Sequence, residues 1–471
     1  KTSNMEYLRG IDGSLPEPME ATNLIQQTPW KVNGRVLEAM QHCWEHSIPV
    51  GDLPSREDEP LPPVPSDFET NEESSKLWKQ SAARIYDRRV SQISRRLLVS
   101  KLLFIADKLK TSRFFYPSQV DFRGRIYNIP SFLGIQGPDM SRGLLTFSRP
   151  ELINNDEDAF WLGIQGANTF GNDKVTLEER FSWAKDFSNT ADRVASDPLG
   201  NIEYWRDADS PWQFLAWCFE FAGLVRQGWG FMSHLPVSAD GSCNGLQHLS
   251  AILRDERGGY ATNLTPNTEP QDIYSQVADE TVEKLKADGS ELAQKCLAFG
   301  VDRKLTKRPV MIVPYSGTRH ACRSYIQEAM KEKIEAGAEN IFGDDCFESS
   351  AYLANFIWES ISDVIQSASK VMAYVKDISE AYAEAKKHME WVTPTGWVVL
   401  QQYNETEKKR IKTHLNGEIL KLSYLQDKKN TVNKRRTGLG SSPNFIHSLD
   451  AAAMTKTINK AKQYGLYDFA M

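Results

Sequence analysis

The spacing of apolar and polar positions predicts a mainly helical chain with a few short strands. A long helix is expected from about Ser74 to Lys110, because its apolar residues recur at the helical period. Those residues are Leu97, Leu98, Leu102, Ile105 and Leu109. The same period predicts helices through most of residues 151–230 and 272–387, whereas residues 115–150 favour loops and short strands.

Two β-hairpins are predicted in the last third of the chain. Residues 391–403 alternate like strands around the turn Pro394-Thr395-Gly396. Asn416-Gly417 separates the runs 410–415 and 418–425, and this dipeptide favours a tight two-residue turn.

Length and composition indicate a folded protein of several subdomains. At 471 residues the chain exceeds what one hydrophobic core usually serves. The Pro-rich, acidic stretch 53–67 predicts an exposed connector. No long apolar run occurs, so we expect no membrane span. The six cysteines lack the spacing of a zinc site, and free thiols are expected.

The net charge of −6 argues weakly against nucleic acid as a partner, but the distribution of charge matters more. Acidic residues crowd 57–73, while cations line one face of the predicted helix 74–110. That face is either simply solvated or follows a phosphate backbone. A second basic region, opposed only by Glu418 and Asp427, contains Lys408, Lys409, Arg410, Lys412, Lys421, Lys428, Lys429, Lys434, Arg435 and Arg436.

The first segment with candidate chemistry is SADGSCNGLQH, residues 238–248. Residues 236–240 predict a buried strand that ends in the carboxylate of Asp240, and Gly241 lets backbone approach beside it. Carboxylates at strand ends hold the two Mg²⁺ ions that many nucleotidyl transfers use. An ordinary Asp-Gly turn explains the same residues.

The second segment, RKLTKRPVMIVPY, predicts a helix with one chemically mixed face. Positions i, i+4, i+8 and i+12 of that face are Arg303, Lys307, Met311 and Tyr315. Arg303 and Lys307 could hold a triphosphate. The Met311 thioether and the Tyr315 ring could together support the base and the sugar of a nucleotide. A surface helix with a basic stripe is the alternative. Pro309 and Pro314 argue against a regular helix throughout.

A third segment, DFRGRIY, places Arg123 and Arg125 on either side of a glycine, and Arg142 follows nearby. Guanidinium groups in this arrangement could bind phosphates. A basic loop without a ligand is the alternative.

The fourth segment, SPNFIHSLD, enters a predicted small-residue helix at Ala451. His447, near the start of that helix, could hydrogen-bond a ribose or a base edge. A structural histidine is the alternative.

Taken together, these segments resemble the single-subunit DNA-directed RNA polymerases of the bacteriophage and mitochondrial type. SADGSCNGLQHLSAILRDERGG is similar to motif A of that family, and RKLTKRPVMIVPYS is similar to its motif B helix. Further matches are DFRGRIY, DSPWQFLAWCFE, WVTPTGW, SPNFIHSLD and QTPWKVN. The resemblance covers nearly the whole chain.

The resemblance implies an α+β, mainly helical fold of the right-hand polymerase type. The implied parts are the end of an N-terminal region (1–29), thumb (30–111), palm (112–150), palm insertion (151–230), palm with motif A (231–257), fingers with motif B and the specificity hairpin (258–445), and a last palm part (446–471). It also implies that the promoter-binding N-terminal domain and the palm's end with motif C are missing. We therefore expect this chain alone to be inactive for lack of the motif C Asp.

The implied activity is that of a DNA-directed RNA polymerase, a nucleotidyltransferase. It transfers ribonucleoside monophosphates from NTPs to the 3′-OH of RNA, 5′ to 3′ on a template, with two Mg²⁺ ions, and releases pyrophosphate. The implied partners are double-stranded promoter and template DNA, the RNA product and NTPs, with no membrane. A monomer is expected in the cytoplasm of an infected bacterial host, with the mitochondrial matrix as the alternative.

The resemblance also assigns roles to residues. Asp240 is implied to be the catalytic, metal-binding Asp, and Gly241 to offer its carbonyl to the metal. Lys307 is implied to be catalytic and to face the triphosphate, with Arg303 as a second phosphate contact. Tyr315 is implied to help select ribonucleotides. The other implied nucleotide- or nucleic-acid-binding residues are Met311, Arg123, Arg125, Arg142 and His447.

Two alternative functions remain at the level of sequence. A family A DNA polymerase shares the right hand, but it usually carries a bulky Glu after the motif A Asp, where this chain has Gly241-Ser242-Cys243. A non-catalytic nucleic-acid-binding remnant is the second alternative. The presence of Asp240, Lys307 and Tyr315 argues against it.

Overall fold

The computed structural model describes residues 15–471, except 268, 316, 343–345, 416 and 429. The described chain is mainly helical and its strands are short, as the residue pattern predicts. Predictions that concern residues 1–14, Asn416 and Lys429 lie outside the described residues. None of the described helices is long and apolar enough to cross a membrane.

The elements of the first half alternate between helices and short strands. In chain order they are α1 (Pro16–Gln27), β1 (Trp30–Val32), α2 (Gly34–Glu45), α3 (Glu72–Leu109), β2 (Ser118–Val120), β3 (Ile126–Asn128), α4 (Asp139–Gly143), β4 (Leu145–Phe147), β5 (Glu151–Ile153), α5 (Asp156–Phe170), α6 (Leu177–Asp186), α7 (Ser188–Ser196), a 3₁₀ turn (Ile202–Tyr204), α8 (Pro211–Gln227) and β6 (Phe231–Ser233).

The second half is helical apart from two hairpins. Its elements are α9 (Asn244–Leu253), α10 (Glu256–Ala261), α11 (Ile273–Asp288), α12 (Glu291–Phe299), α13 (Arg303–Ile312), a 3₁₀ turn (Val313–Tyr315), α14 (Arg319–Glu335), α15 (Phe347–Val364), α16 (Gln366–Glu384), β7 (Met389–Val392), β8 (Val398–Gln401), β9 (Thr406–Leu415), β10 (Glu418–Asp427) and α17 (Lys434–Gln463).

The chain divides into two compact units. We call the first the motif unit; it comprises Asp240–Lys460 with Val120–Ile126 and the described residues up to Ala21. We call the second the aromatic unit; it comprises Thr22–Gln119, Tyr127–Ala239 and Ala461–Met471. Antiparallel strand pairs stabilise both, with β1–β4 and β5–β6 in the aromatic unit and β7–β8 and β9–β10 in the motif unit.

Large rings on α8 build the core of the aromatic unit. Trp212, Phe214 and Trp217 are fully buried there, and the Trp217 indole N–H donates to the Leu162 carbonyl of α5 at 2.8 Å. Gly166 of α5 lies directly against that ring, because a Cβ at this position would stand 2.1 Å from Trp217 Cε2. A glycine is therefore what lets α5 and α8 approach so closely.

Apolar faces of α9, α13, α14 and α15 build the core of the motif unit. Leu246 and Leu249 of α9 share this core with Leu305 and Val310 of α13. Gly245 permits the close approach, since a Cβ there would stand 2.9 Å from Pro314 Cβ. The helix that follows motif A and the helix of motif B therefore lie in one packed body.

Most predicted elements are confirmed. The long helix α3 covers the predicted span, although Leu97 is 58% exposed and only Leu102 of the five apolar positions is fully buried. Both hairpins form, and Gly396 has the positive φ of +78° that its turn requires.

The predicted buried strand at residues 236–240 is wrong. The strand β6 ends at Ser233, and the residues up to Asp240 follow without strand pairing and are largely exposed. Pro236 has no N–H to donate to a ladder, and the Ser238 N–H donates instead to the Gln165 side chain at 2.8 Å.

The predicted helix start near Ala451 is also wrong, because α17 already begins at Lys434 and contains Pro443 in its interior. Tertiary hydrogen bonds stabilise the turn around this proline. Ser442 Oγ donates to the Pro314 carbonyl at 2.8 Å, and Asn444 Nδ2 donates to Gln401 Oε1 at 2.9 Å. His447 therefore lies within a long helix.

Candidate active site

Asp240 lies on an exposed turn at the entrance to α9. The Gly241 N–H donates to Asp240 Oδ1 at 2.8 Å, and the Gly241 carbonyl accepts the Cys243 N–H at 3.1 Å. A Cβ on Gly241 would stand 2.1 Å from Asn244 Oδ1, so a side chain would disrupt this turn. Both Asp240 and Gly241 are exposed on this turn.

The motif B helix α13 begins at a well-capped end. Asp302 accepts hydrogen bonds from the N–H groups of Lys304 and Leu305, and it forms a 2.9 Å ion pair with Lys333. Burial would raise the pKa of Asp302, but the hydrogen bond and charge of Lys333 and the two backbone N–H groups lower it below its usual value. The carboxylate stays charged at neutral pH and fixes where the helix starts.

Three of the four residues predicted to share one face of the motif B helix lie on α13. Arg303 donates to Asp272 at 2.7 Å and stacks 5.1 Å from the centre of the Tyr274 ring. Lys307 and Met311 are exposed on the following turns. The α-helix ends at Ile312, so Tyr315 belongs to the 3₁₀ turn instead. Pro314, which cannot continue the helical hydrogen bonds, accounts for the change.

Tyr315 and His447 form a contacting ring pair. Their ring centres are 5.0 Å apart at an angle of 43°. Arg123 Nη1 lies 2.8 Å from His447 Nδ1, and because arginine can only donate, that nitrogen accepts and the ring proton resides on Nε2. Burial, followed by the charges of Arg125 and Arg123, lowers the pKa of His447 to about 4. The imidazole is therefore neutral at pH 7.

The DFRGR loop reaches this ring pair because of its local turn. Asp121 Oδ1 accepts the N–H groups of Arg123 and Arg125 at 2.8 and 3.1 Å, and Gly124 supplies a φ of +92°. The Trp397 indole anchors the loop by donating to the Phe122 carbonyl at 3.1 Å. Asp121 also forms a 2.6 Å ion pair with the Arg123 side chain.

Asp450 is a site residue that the sequence reasoning did not single out. It accepts hydrogen bonds from Arg125 and, at 3.2 Å, from Asn244, and His248 Nε2 lies 3.5 Å from it. Burial would raise its pKa, but hydrogen bonds from His248 and Arg125 and the Arg125 charge lower it to about 2. One signal was available, since Asp450 is the last residue of SPNFIHSLD, one helical turn after His447.

A family of known proteins matches most of this chain. The sequence model of the DNA-dependent RNA polymerase family matches residues 154–471. The chain belongs to this family.

Relatives in this polymerase family come from phages and from plant organelles. The DNA-directed RNA polymerase of Enterobacteria phage T3 is 35% identical over 100% of this chain and 58% of its own length. T7 RNA polymerase of Escherichia phage T7 is 34% identical over 100% of this chain and 58% of its own length. The chloroplastic/mitochondrial DNA-directed RNA polymerase 2 of Arabidopsis thaliana is 34% identical over 96% of this chain and 45% of its own length. The chain thus spans about half the length of the relatives it matches.

Arg142 is the one predicted site residue that does not belong to the motif unit. It lies exposed on α4, in the aromatic unit, whereas the other nine predicted residues all belong to the motif unit. Its predicted contact with nucleic acid stays a prediction.

The described chain offers few side-chain ligands for the predicted Mg²⁺ ions. Within the described part of the chain, no group of three or more His, Cys, Asp or Glu side chains is arranged to hold a metal. Mg²⁺ commonly uses one or two carboxylates and completes its octahedron with waters and substrate phosphates. The Asp240 carboxylate and the Gly241 carbonyl fit that incomplete donor set.

The cationic face of α3 is partly occupied by the chain itself. The Glu59 carboxylate accepts two hydrogen bonds from Arg88, of 2.8 and 2.6 Å. The backbone carbonyl of Glu59 accepts a hydrogen bond from Arg89. Arg96 forms a 2.7 Å ion pair with Asp58 and donates to the Ser55 carbonyl. Residues 55–59 of the predicted connector therefore lie along α3. We call these residues the acidic strap.

The β9–β10 hairpin has two different faces, and nearly all of its residues are exposed. Lys408, Arg410, Lys412 and the cross-strand Lys421 share one face, because strand residues alternate sides. The opposite face carries Lys409 and most of the apolar residues (Ile411, Leu415, Leu420, Leu422 and Tyr424), while Ile419 and Leu425 lie on the face of the four cations.

Proposed function

We propose that this chain supplies the catalytic region of a DNA-directed RNA polymerase. In this reaction the 3′ oxygen of an RNA primer attacks the α-phosphorus of the NTP chosen by a DNA template. The bond to the β-phosphate oxygen breaks, pyrophosphate leaves, and the hydroxyl proton passes to solvent. The observation that supports the proposal is the packing of α9 and α13 on one core, with the Tyr315–His447 ring pair beside them.

Lys307 is proposed to bind the triphosphate. It is exposed on α13, and no ion-pair partner is present for it among the described residues. A cation of this kind stabilises the charge that develops on the transferred phosphate. Arg303 is held by Asp272, so its contribution to phosphate binding is expected to be smaller than that of Lys307.

Asp240 and the carbonyl of Gly241 are proposed to hold Mg²⁺. When bound, the ions would lower the pKa of the attacking hydroxyl and neutralise the departing pyrophosphate. The exposed position of the Asp240 turn suits a ligand set completed by substrate phosphates and water.

The ring pair is proposed to contact the ribose of the incoming nucleotide, with Met311 supporting the base. Neutral His447 presents its Nε2–H as a donor, and the Tyr315 hydroxyl can donate or accept. A ribose 2′-OH could bond to both groups, whereas a deoxyribose would leave them unsatisfied.

The proposed partners are a DNA template, promoter DNA, the RNA product and NTPs, bound by a monomer. Arg123 and Arg125 are proposed to face nucleic acid, and because both form ion pairs within the chain they are also proposed to position the site. The basic face of the hairpin is proposed to contact DNA. We place the protein in the cytoplasm of an infected bacterium, with the mitochondrial matrix as the alternative, because its relatives include both kinds of polymerase.

The test is template-directed nucleotide binding. A labelled RNA primer on a DNA template, ended with a 3′-deoxynucleotide to prevent extension, is bound to the chain with Mg²⁺ and titrated with each NTP. The complementary NTP should bind most tightly, and Lys307→Ala should weaken it roughly 10- to 100-fold, as expected for a lost charge-assisted hydrogen bond.

Lys304→Ala is the matched control, because it removes the same charge from a different face of α13. It should leave the affinity nearly unchanged. Equal binding of all four NTPs, or equal losses in the two variants, would contradict the proposed function.

A further inference from the structure

Asp450 joins three separate parts of the motif unit. Its Oδ2 accepts from Arg125 of the DFRGR loop, and its Oδ1 faces Asn244 and His248 of α9 at 3.2 and 3.5 Å. Asp450 itself belongs to α17. A single carboxylate therefore fixes the loop, the helix after Asp240 and the helix of His447 relative to one another.

The two arginines of the DFRGR loop hold α17 at successive turns. Arg123 donates to His447, and Arg125 pairs with Asp450 three residues later, on the same side of the helix. The Tyr315 ring packs against His447, so the position of the ring pair depends on the two contacts that the arginines make with α17.

Asp450 also controls the charge around the ring pair. Arg125 acts on both rings: its charge disfavours the imidazolium of His447 and favours the phenolate of Tyr315, while Asp450 has the opposite effect on each. Without the Asp450 carboxylate, the partly buried Arg125 guanidinium would lose this ion pair. It would then be drawn to other acceptors nearby.

We propose that Asp450 is a positioning residue for sugar recognition, which fixes the Tyr315–His447 pair through Arg125, Asn244 and His248. It does not touch the nucleotide. The inference rests on the proposed function, because the ring pair is taken to face the ribose. Misplacing such a pair by about 1 Å is enough to reduce discrimination strongly.

The test uses the blocked primer–template complex and compares the complementary NTP with the matching dNTP. Sugar selectivity is the ratio of the two dissociation constants. Asp450→Asn keeps the shape of the side chain but removes its charge, and it should lower selectivity roughly tenfold, as lost supporting contacts typically do. Asp255→Asn is the control, because Asp255 caps α10 and asparagine caps a helix equally well.

A double-mutant cycle separates positioning from general damage. If Asp450 acts through the ring pair, Asp450→Asn should cause no further loss of selectivity in a Tyr315→Phe background. A full additional loss in that background, or unchanged selectivity in a folded Asp450→Asn protein, overturns the proposal. Should Asp450→Asn fail to fold by circular dichroism, Asn244→Ala replaces it and should give a smaller loss in the same direction.

A measurement without nucleotide keeps the two proposals distinct. The ¹⁵N signals of His447, identified with His447→Gln, report its tautomer and surroundings. They should shift in Asp450→Asn and stay in place in Asp255→Asn. Unshifted His447 signals overturn the positioning role. A chain that shows this shift but no template-dependent nucleotide binding supports the positioning role and contradicts the proposed function.

Discussion

At the scale of single residues, the site depends on a few side chains held by partners from distant parts of the sequence. Arg123 meets His447, and Arg125 meets Asp450, across more than three hundred residues. The motif letters predicted roles for Arg123, Arg125 and His447. They did not single out Asp450, because its three partners converge only in the folded chain.

A pH dependence is predicted for His447. Its pKa of about 4 in the folded chain lies below the ordinary histidine value, so the unfolded chain binds this proton more readily. The contribution of His447 to stability is therefore fully present at neutral pH and is lost as pH falls from about 6.5 toward 4. Urea midpoints measured across this window should fall with pH, and less steeply in His447→Gln. Parallel curves for the two proteins would refute the prediction.

Gly166→Ala is predicted to destabilise the aromatic unit. The new methyl group would collide with the buried Trp217 ring, at 2.1 Å from Cε2. Overpacking of this kind costs about 1–3 kcal/mol. Chemical denaturation followed by tryptophan fluorescence measures the loss. Gly34→Ala, where a Cβ meets nothing within 4 Å, should leave stability nearly unchanged.

At the scale of elements, the most informative contact is the acidic strap on α3. The sequence left two interpretations of the cationic helix face, a solvated face or a phosphate-binding one. The structure adds that carboxylates and carbonyls of residues 55–59 already bind three of its arginines. These contacts are two ion pairs with exposed carboxylates and several hydrogen bonds to backbone carbonyls, and such surface ion pairs are individually weak. Phosphates of a nucleic acid could therefore displace them.

Glu59→Gln is expected to tighten the binding of a primer–template hybrid. Glu59→Gln removes the ion pair with Arg88 that competes with a phosphate, and an exposed ion pair of up to about 1 kcal/mol corresponds to at most a roughly fivefold gain. The affinity should also depend more steeply on salt, by about one additional phosphate contact. Glu69→Gln makes the same change in net charge at an exposed residue between the connector and α3 and should have little effect. If the affinity of Glu59→Gln depended on salt as steeply as that of the unchanged chain, Glu59 would not compete with a phosphate for Arg88.

At the scale of the whole molecule, charge and packing are both unevenly distributed. The chain carries a net charge of −6, yet its hairpin places four cations on one face. Its two units each have their own core, one rich in stacked aromatic rings and one built from aliphatic helix faces. All predicted site residues except Arg142 fall in the motif unit.

The sequence alone determined most of the helices, both hairpins and the family, because periodicity, turn dipeptides and motif letters are local properties. It failed where distant residues decide the local conformation. Pro443 lies inside a helix because Pro314 and Gln401 hold its neighbours, and residues 236–240 form no strand because the Ser238 N–H bonds a side chain.

The convergence on Asp450 and the strap along α3 likewise existed only in the tertiary structure. Hydrogen bonds and ion pairs between residues far apart in the chain leave no periodic trace in its sequence.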